Sequence, residues 1–181
     1  MKSLDIYLSS LSKEKVNQII NFQESDDSPN LNLLSFDVYL QNFHQIRNRI
    51  SRNNDILTVK NMSKKYNWSN DLDSIFKNNS FEALVLTDLS KRIVWVNTGF
   101  SEMTGYSKKF AINKTPRFLQ GSHTSQETKK RIQQKLLLGT PFKEVIINHK
   151  KDKSTYKCEI SIFPLKNNFT THFLALEKIA L

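Results

Sequence analysis

The stretch ALVLTDLSKRIVWVNTGFSEMTGY, residues 83–106, decides the fold. Ala83-Leu84-Val85-Leu86-Thr87 is an apolar run rich in strand-forming residues, and it stops at Asp88. Leu89-Ser90-Lys91 is a tight turn, and Arg92-Ile93-Val94-Trp95-Val96-Asn97 is a second run of the same texture. Two such runs joined by a short polar connection predict an antiparallel hairpin. Beyond Asn97 the apolar residues are Phe100, Met103 and Tyr106. They recur every three residues, which a strand cannot accommodate, so short helices are predicted here.

Working towards the C-terminus, Thr124-Ser125-Gln126-Glu127 has the spacing of a capping box. In that motif the Thr124 hydroxyl accepts from the Glu127 amide while the Glu127 side chain reaches back. The helix it opens carries Ile132, Leu136 and Leu137, and Gly139 closes it as a left-handed cap. Residues 142–149 read as a strand and residues 150–153 as a turn. Tyr156, Cys158, Ile160 and Ile162 then alternate with Lys157, Glu159 and Ser161, the pattern of a half-buried strand. Pro164 is expected to end that strand, Asn167-Asn168 suits a turn with positive φ, and residues 170–178 form the last strand. The order is two strands, short helices, one longer helix and three strands. It predicts an α+β fold, a five-stranded antiparallel sheet with helices on one face.

Towards the N-terminus the texture is helical. Leu4, Ile6, Leu8 and Leu11, then Val16, Ile19, Ile20 and Phe22 behind a Ser12 cap, suggest two short helices. Glu24 to Pro29 is a polar break. Phe36, Tyr39, Leu40, Phe43, Ile46 and Ile50 share a helix face, and Asn53-Asn54-Asp55 interrupts the pattern. Ile56, Val59, Met62, Tyr66 and Trp68 suggest a further helix, and Leu72, Ile75 and Phe76 a last short turn. The chain therefore divides into a helical extension over residues 1–79, serving packing or dimerisation, and a domain over residues 80–181. The aromatic-rich stripe fits either a partner-binding face or a buried side packed on the neighbouring sheet.

Composition bounds the function. The 181 residues are 38% hydrophobic and 24% charged, values of a soluble globular protein. No apolar run approaches the roughly 20 residues a membrane helix needs. No signal peptide is visible at the N-terminus, and the single cysteine, Cys158, excludes an internal disulfide. Both features fit a cytoplasmic setting. The net charge of +10 points to an anionic partner or to a solvated lysine surface. The densest stretch, residues 129–157, holds nine Lys/Arg against Glu144 and Asp152. No basic-aromatic nucleic-acid motif accompanies it.

These residues resemble a known family. Asn97-Thr-Gly-Phe100-Ser-Glu-Met-Thr104-Gly-Tyr106 resembles the N-x-x-F-x-x-x-T-G-Y segment of PAS domains. Arg117-Phe-Leu-Gln-Gly121 resembles the end of the G-x-N-C-R-F-L-Q-G signature of the light-oxygen-voltage branch, and Asn148-His-Lys-Lys-Asp152 its N-Y-x-K-D-G segment. The resemblance covers residues 81–181 and leaves the extension outside. It implies a sensory or regulatory module without catalysis of its own. The photoactive cysteine of that branch falls on Pro116, which has no thiol, and the preceding Asn falls on Thr115. Arg117 and Gln120 match residues that reach the flavin phosphate and tail, and Asn148 matches one that bonds the isoalloxazine edge. The second phosphate-binding Arg falls on Gln133, with Lys130 one turn earlier; the second edge Asn falls on Cys158, and the sensing Gln on Glu177.

The candidate pocket residues are therefore Arg117, Gln120, Asn148, Cys158 and Glu177, with a remodelled flavin site around them. An ionised carboxylate at Glu177 beside flavin acceptor atoms is costly, so flavin is disfavoured. Other readings stay open: Arg117 and Gln120 as cap or solvent-facing residues, Cys158 as a small core residue or a redox-sensitive thiol, Glu177 as a strand-end carboxylate paired with a lysine. His44, His123, His149 and His172 sit on separate elements without ligand spacing, which predicts no metal site. No histidine lies between Ser125 and Leu138 to ligate haem. The resulting expectation is a cytoplasmic signalling module that acts through protein contacts as a homodimer or with a signalling partner, and that binds a small ligand in its pocket. The expectation is that its output is made through such contacts and not through a catalytic or DNA-binding segment after Leu181. The alternatives are a ligand-free interaction module and a nucleic-acid adaptor.

Overall fold

The computed structural model describes residues 33–180. The expected helices over residues 4–22 and the turn over residues 24–29 lie outside them. The chain forms two compact units, residues 1–50 and 51–181. One helix, α1, runs over Leu33–Tyr66 and contributes to both. In the first unit Leu40, Phe43, Ile46 and Ile50 are exposed.

The second unit is built around the predicted sheet. Its strands are β1 Ala83–Asp88, β2 Ile93–Val96, β3 Phe142–His149, β4 Thr155–Asn167 and β5 Phe169–Ile179. All pairings are antiparallel, in the order β2-β1-β5-β4-β3. The hairpin turn between β1 and β2 places Lys91 at a positive φ of 65°. The Asp88 side chain accepts from the Arg92 amide at 2.8 Å, holding the turn closed.

The short helices are α2 Leu72–Asn78, α3 Thr98–Thr104, α4 Lys108–Ala111, a 3-10 turn Pro116–Leu119 and α5 Gln126–Leu138. The inner face of the sheet, with Val85, Ile160 and Phe173, packs with residues of α3, α4 and α5. Its outer face, with Leu84, Leu86, Leu165, Leu174 and Leu176, packs against Val59 of α1, Trp68, and Leu72 and Phe76 of α2. Covering on both faces explains why β1 reads as an unbroken apolar run. The aromatic stripe beyond residue 55 is therefore packed on the sheet.

The opening stretch folds as its residues dictate. Asn97 is buried, and its Oδ1 accepts from the amides of Leu84 and Phe100 at 2.9 and 3.0 Å. Its Nδ2 donates to the Glu82 carbonyl at 3.2 Å and to Asp55 Oδ2 at 2.8 Å. One side chain thus caps α3, starts β1 and ties down α1. Gly99 is required beside it, because a Cβ there would lie 1.9 Å from the Glu82 oxygen. Gly105 ends α3 in the left-handed region at φ 76°.

Four expectations are corrected. Asn53-Asn54-Asp55 does not break α1. Each of these residues costs only about half a kcal/mol in a helix interior, no Pro or Gly is present, and Asp55 is engaged by Asn97. Pro164 does not end β4. There β4 has run past the end of β3, whose first residue, Phe142, pairs with Ile162. Asn70 covers this edge, donating to the Pro164 carbonyl at 3.1 Å and accepting from the Lys166 amide at 2.7 Å. A strand residue's N–H and C=O point to the same side, so proline's missing donor falls where no strand needs it. The cap of α5 is Ser125, not Thr124. The Thr124 hydroxyl instead donates to the Ile147 carbonyl at 2.6 Å, so Glu127 has no capping-box partner there. Leu137 is 84% exposed, because only Ile132 and Leu136, one turn apart, face the core.

Candidate functional site

Between the inner face of the sheet and the helices lies a cavity of about 880 Å³. Ile146, Ile160 and Phe173 from the sheet, with Leu119, Ile132 and Leu136 from the 3-10 turn and α5, give it apolar walls. Alternation along each strand puts every second side chain on this face, which also brings Asn148 of β3 and Glu177 of β5 inward. On the helical side Arg117, Gln120, Lys129 and Lys130 line it, and Lys91 enters from the β1–β2 turn.

Four of the five residues singled out from the sequence therefore line one cavity: Arg117, Gln120, Asn148 and Glu177. Cys158, on the same face of β4 as Ile160, does not line the cavity; it is completely buried, with its Sγ donating to Glu177 Oε2 at 3.9 Å. Thr115, Pro116 and Gln133 also line the cavity. Pro116 opens the 3-10 turn, where a proline needs no amide partner.

Glu177 dominates the electrostatics. Among the described residues no lysine pairs with it; Lys178 turns to the other face and meets Glu159 at 3.2 Å. Burial pushes the Glu177 carboxyl up to about 7, and the Cys158 hydrogen bond offsets this only in part. Burial and the neighbouring Glu177 carboxyl likewise push the Cys158 thiol far above its ordinary range. A thiol held protonated and out of solvent is a poor nucleophile, which argues against a redox-sensitive cysteine at rest. The Tyr156 phenol is raised by the same two causes, offset in part by the Asn148 side chain beside it. Asn148, Tyr156, Cys158 and Glu177 form a polar diagonal across β3, β4 and β5.

Sequence reading missed several neighbours of this site. Lys91 and Lys129 were not linked to it, because the link is made by the β1–β2 turn and the start of α5 meeting in space. Outside the cavity lining, His123 and His149 lie on separate elements, yet their rings face each other, Nδ1 to Nε2, at 3.4 Å. Among the described residues no group of three or more His, Cys, Asp or Glu could hold a metal ion. The basic stretch over residues 129–157 is partly neutralised: Lys135 and Arg131 meet Glu144 at 2.7 and 3.5 Å, and Lys143 meets Glu159 at 3.0 Å. Among the described residues no helix is long and apolar enough to cross a membrane.

Comparison with known proteins bears on the same region. A family model described as PAS domain matches residues 82–177. A nitrogen fixation regulatory protein of Klebsiella oxytoca is 34% identical over 98 residues, 53% of this chain and 20% of that protein. A blue-light photoreceptor of Listeria monocytogenes is 29% identical over 105 residues, 56% of this chain and 42% of that protein. The chain thus matches less than half the length of either relative. The light-state structure of the blue-light photoreceptor Aureochrome1 LOV superposes with a TM-score of 0.55 at 22% identity, covering 56% of this chain and 84% of that one.

Proposed function

The chain belongs to the PAS domain family, and from that premise we propose that it is a sensory signalling module that reads a small molecule in its inner cavity and reports through protein contacts. The observation that carries this reading is the cavity of about 880 Å³, large enough for a heterocyclic ligand and lined by polar groups, Asn148 and Glu177, set among apolar walls. A buried carboxyl with a single thiol donor is costly to maintain unless something else bonds it. The similarity to a nitrogen fixation regulatory protein and to a blue-light photoreceptor supports signalling as the role.

The route outward runs through β5. Its inward residue Glu177 faces the cavity, while its neighbours Leu174 and Leu176 pack with Val59 and Phe76 on the other side. A ligand that moves β5 alters the seat of α1. It shifts that equilibrium only by as much as it binds the two arrangements unequally. Pro116 carries no thiol, so the reading excludes a cysteine adduct from that position. It also assigns no catalysis to the module. A cytoplasmic location and a homodimer or signalling partner belong to the same proposal.

A second reading, a ligand-free interaction module, draws on the exposed Leu40, Ile46, Ile50 and Leu57 of α1. One experiment separates them. The purified full chain is examined by absorption spectroscopy and by native mass spectrometry. A bound species, seen as a spectrum or as added mass lost on denaturation, is the expected result. A colourless protein of apo mass, purified from several hosts, refutes the sensor reading and leaves the interaction module.

A further inference from the structure

The hydrogen-bonding code of the cavity specifies more than a ligand of the right size. Resting on the sensor reading above, we propose that the cavity takes an aromatic heterocycle with two adjacent N–H donors on one edge, the guanine or pterin class, whose anionic tail meets the lysines of α5. Three observations carry it. Glu177 is buried at the cavity wall, and the Cys158 thiol is its only hydrogen-bond donor among the described residues. A carboxylate offers acceptors only, so its complement is a pair of donors. Guanine presents N1–H beside its exocyclic amine, and pterin presents the same pair; both can bond a carboxylate with two parallel hydrogen bonds. A flavin edge alternates acceptor, donor, acceptor, which suits a carboxamide and sets two acceptors against the Glu177 oxygens.

The second observation is the sign of the other charged groups. Every charged wall residue besides Glu177 is a cation: Lys91, Arg117, Lys129 and Lys130. A phosphate or carboxylate tail at that side meets four positive groups. The third is Asn148, buried on the inner face, which offers both a donor and an acceptor to the remaining heteroatoms of the ring. Burial holds the free carboxyl near neutrality, so ligand N–H groups replace the solvation it lacks and keep it ionised. The titratable neighbours on the sheet, Cys158 and Tyr156, are both held neutral and supply no competing charge.

The test is binding of GMP, pterin-6-carboxylate, AMP and FMN to the full chain, measured calorimetrically at pH 6 and pH 8. The proposal expects GMP or pterin-6-carboxylate to bind at least tenfold more tightly than AMP and FMN at pH 8, and to weaken at pH 6 as Glu177 takes up a proton. The two arms separate a nucleotide source from a pterin source. Glu177→Gln should cost at least tenfold for the two-donor ligand without weakening FMN, and Glu177→Asp should recover part of the loss. Lys129→Ala with Lys130→Ala, at exposed or half-exposed positions where folding is not at stake, should weaken GMP more than guanosine. Tighter binding of FMN, stronger at pH 6 than at pH 8 and untouched by Glu177→Gln, overturns the two-donor assignment while the sensor reading stands. No binding of any probe, together with an apo native mass, overturns both.

Discussion

Replacing Glu177 by glutamine tests the electrostatics of the cavity without any ligand. Glutamine keeps the shape and removes the charge. In the unfolded chain the carboxyl titrates at its ordinary value of 4.5, and in the folded protein burial raises it to about 7. Between those values the folded state holds a proton that the unfolded state has released, so stability falls as pH rises. The contribution is fully present below pH 4.5, is lost progressively up to about pH 7, and changes no further above that. At about 1.4 kcal/mol per pH unit for one proton, the interval corresponds to a loss of about 3 kcal/mol. Glu177→Gln should therefore match the wild type within about 1 kcal/mol near pH 4.5 and exceed it by about 2–3 kcal/mol at pH 8. Urea unfolding of both proteins, followed by circular dichroism from pH 4.5 to 8.5, gives the difference directly, because all other titrating groups cancel. A difference that stays flat with pH, or a variant less stable than wild type at pH 8, refutes a Glu177 carboxyl raised by burial.

Gly99→Ala forces a Cβ against the Glu82 oxygen and should lower stability by at least about 2 kcal/mol, read as a fall in melting temperature; an unchanged melt would refute the packing of α3 on β1. Cys158 should resist thiol reagents in the native protein and react within minutes in urea; rapid native labelling would contradict its burial. Ile46→Glu with Ile50→Glu should lower the mass measured by light scattering if α1 self-associates, without shifting the melting temperature of the second unit; a mass unchanged from a dimeric wild type would remove α1 from the interface.

Much of the fold was legible because its signals are local. Asn97, Gly99 and Gly105 act within a few residues of themselves, and the alternation from Tyr156 to Ile162 states which face is inward. Pro164 misled, because its tolerance depends on where β3 stops and on Asn70, which lies 94 positions away in the chain. Asn53-Asn54-Asp55 misled in the same way: the propensities are weak, and the compensating contact comes from Asn97, 42 positions on from Asp55. Thr124 looked like a cap until β3 supplied its acceptor. At the site, the resemblance led to Arg117, Gln120, Asn148 and Glu177. No pattern in the sequence states that Glu177 lacks a cation, or that Lys91 and Lys129 share its cavity, since both facts arise from tertiary neighbours.

The four side-chain hydrogen bonds of Asn97 carry a consequence for how the second unit opens. Because one amide joins Asp55 on the outer layer to the first turn of α3 on the inner one, neither layer can fray there alone. Peeling α1 from the sheet strips a buried amide of a partner and loosens the first amides of β1 and α3 with it. The two faces should therefore exchange amide protons as a single cooperative block, with one opening free energy rather than two. A disturbance that starts on either side of the sheet arrives at the other through the same few atoms.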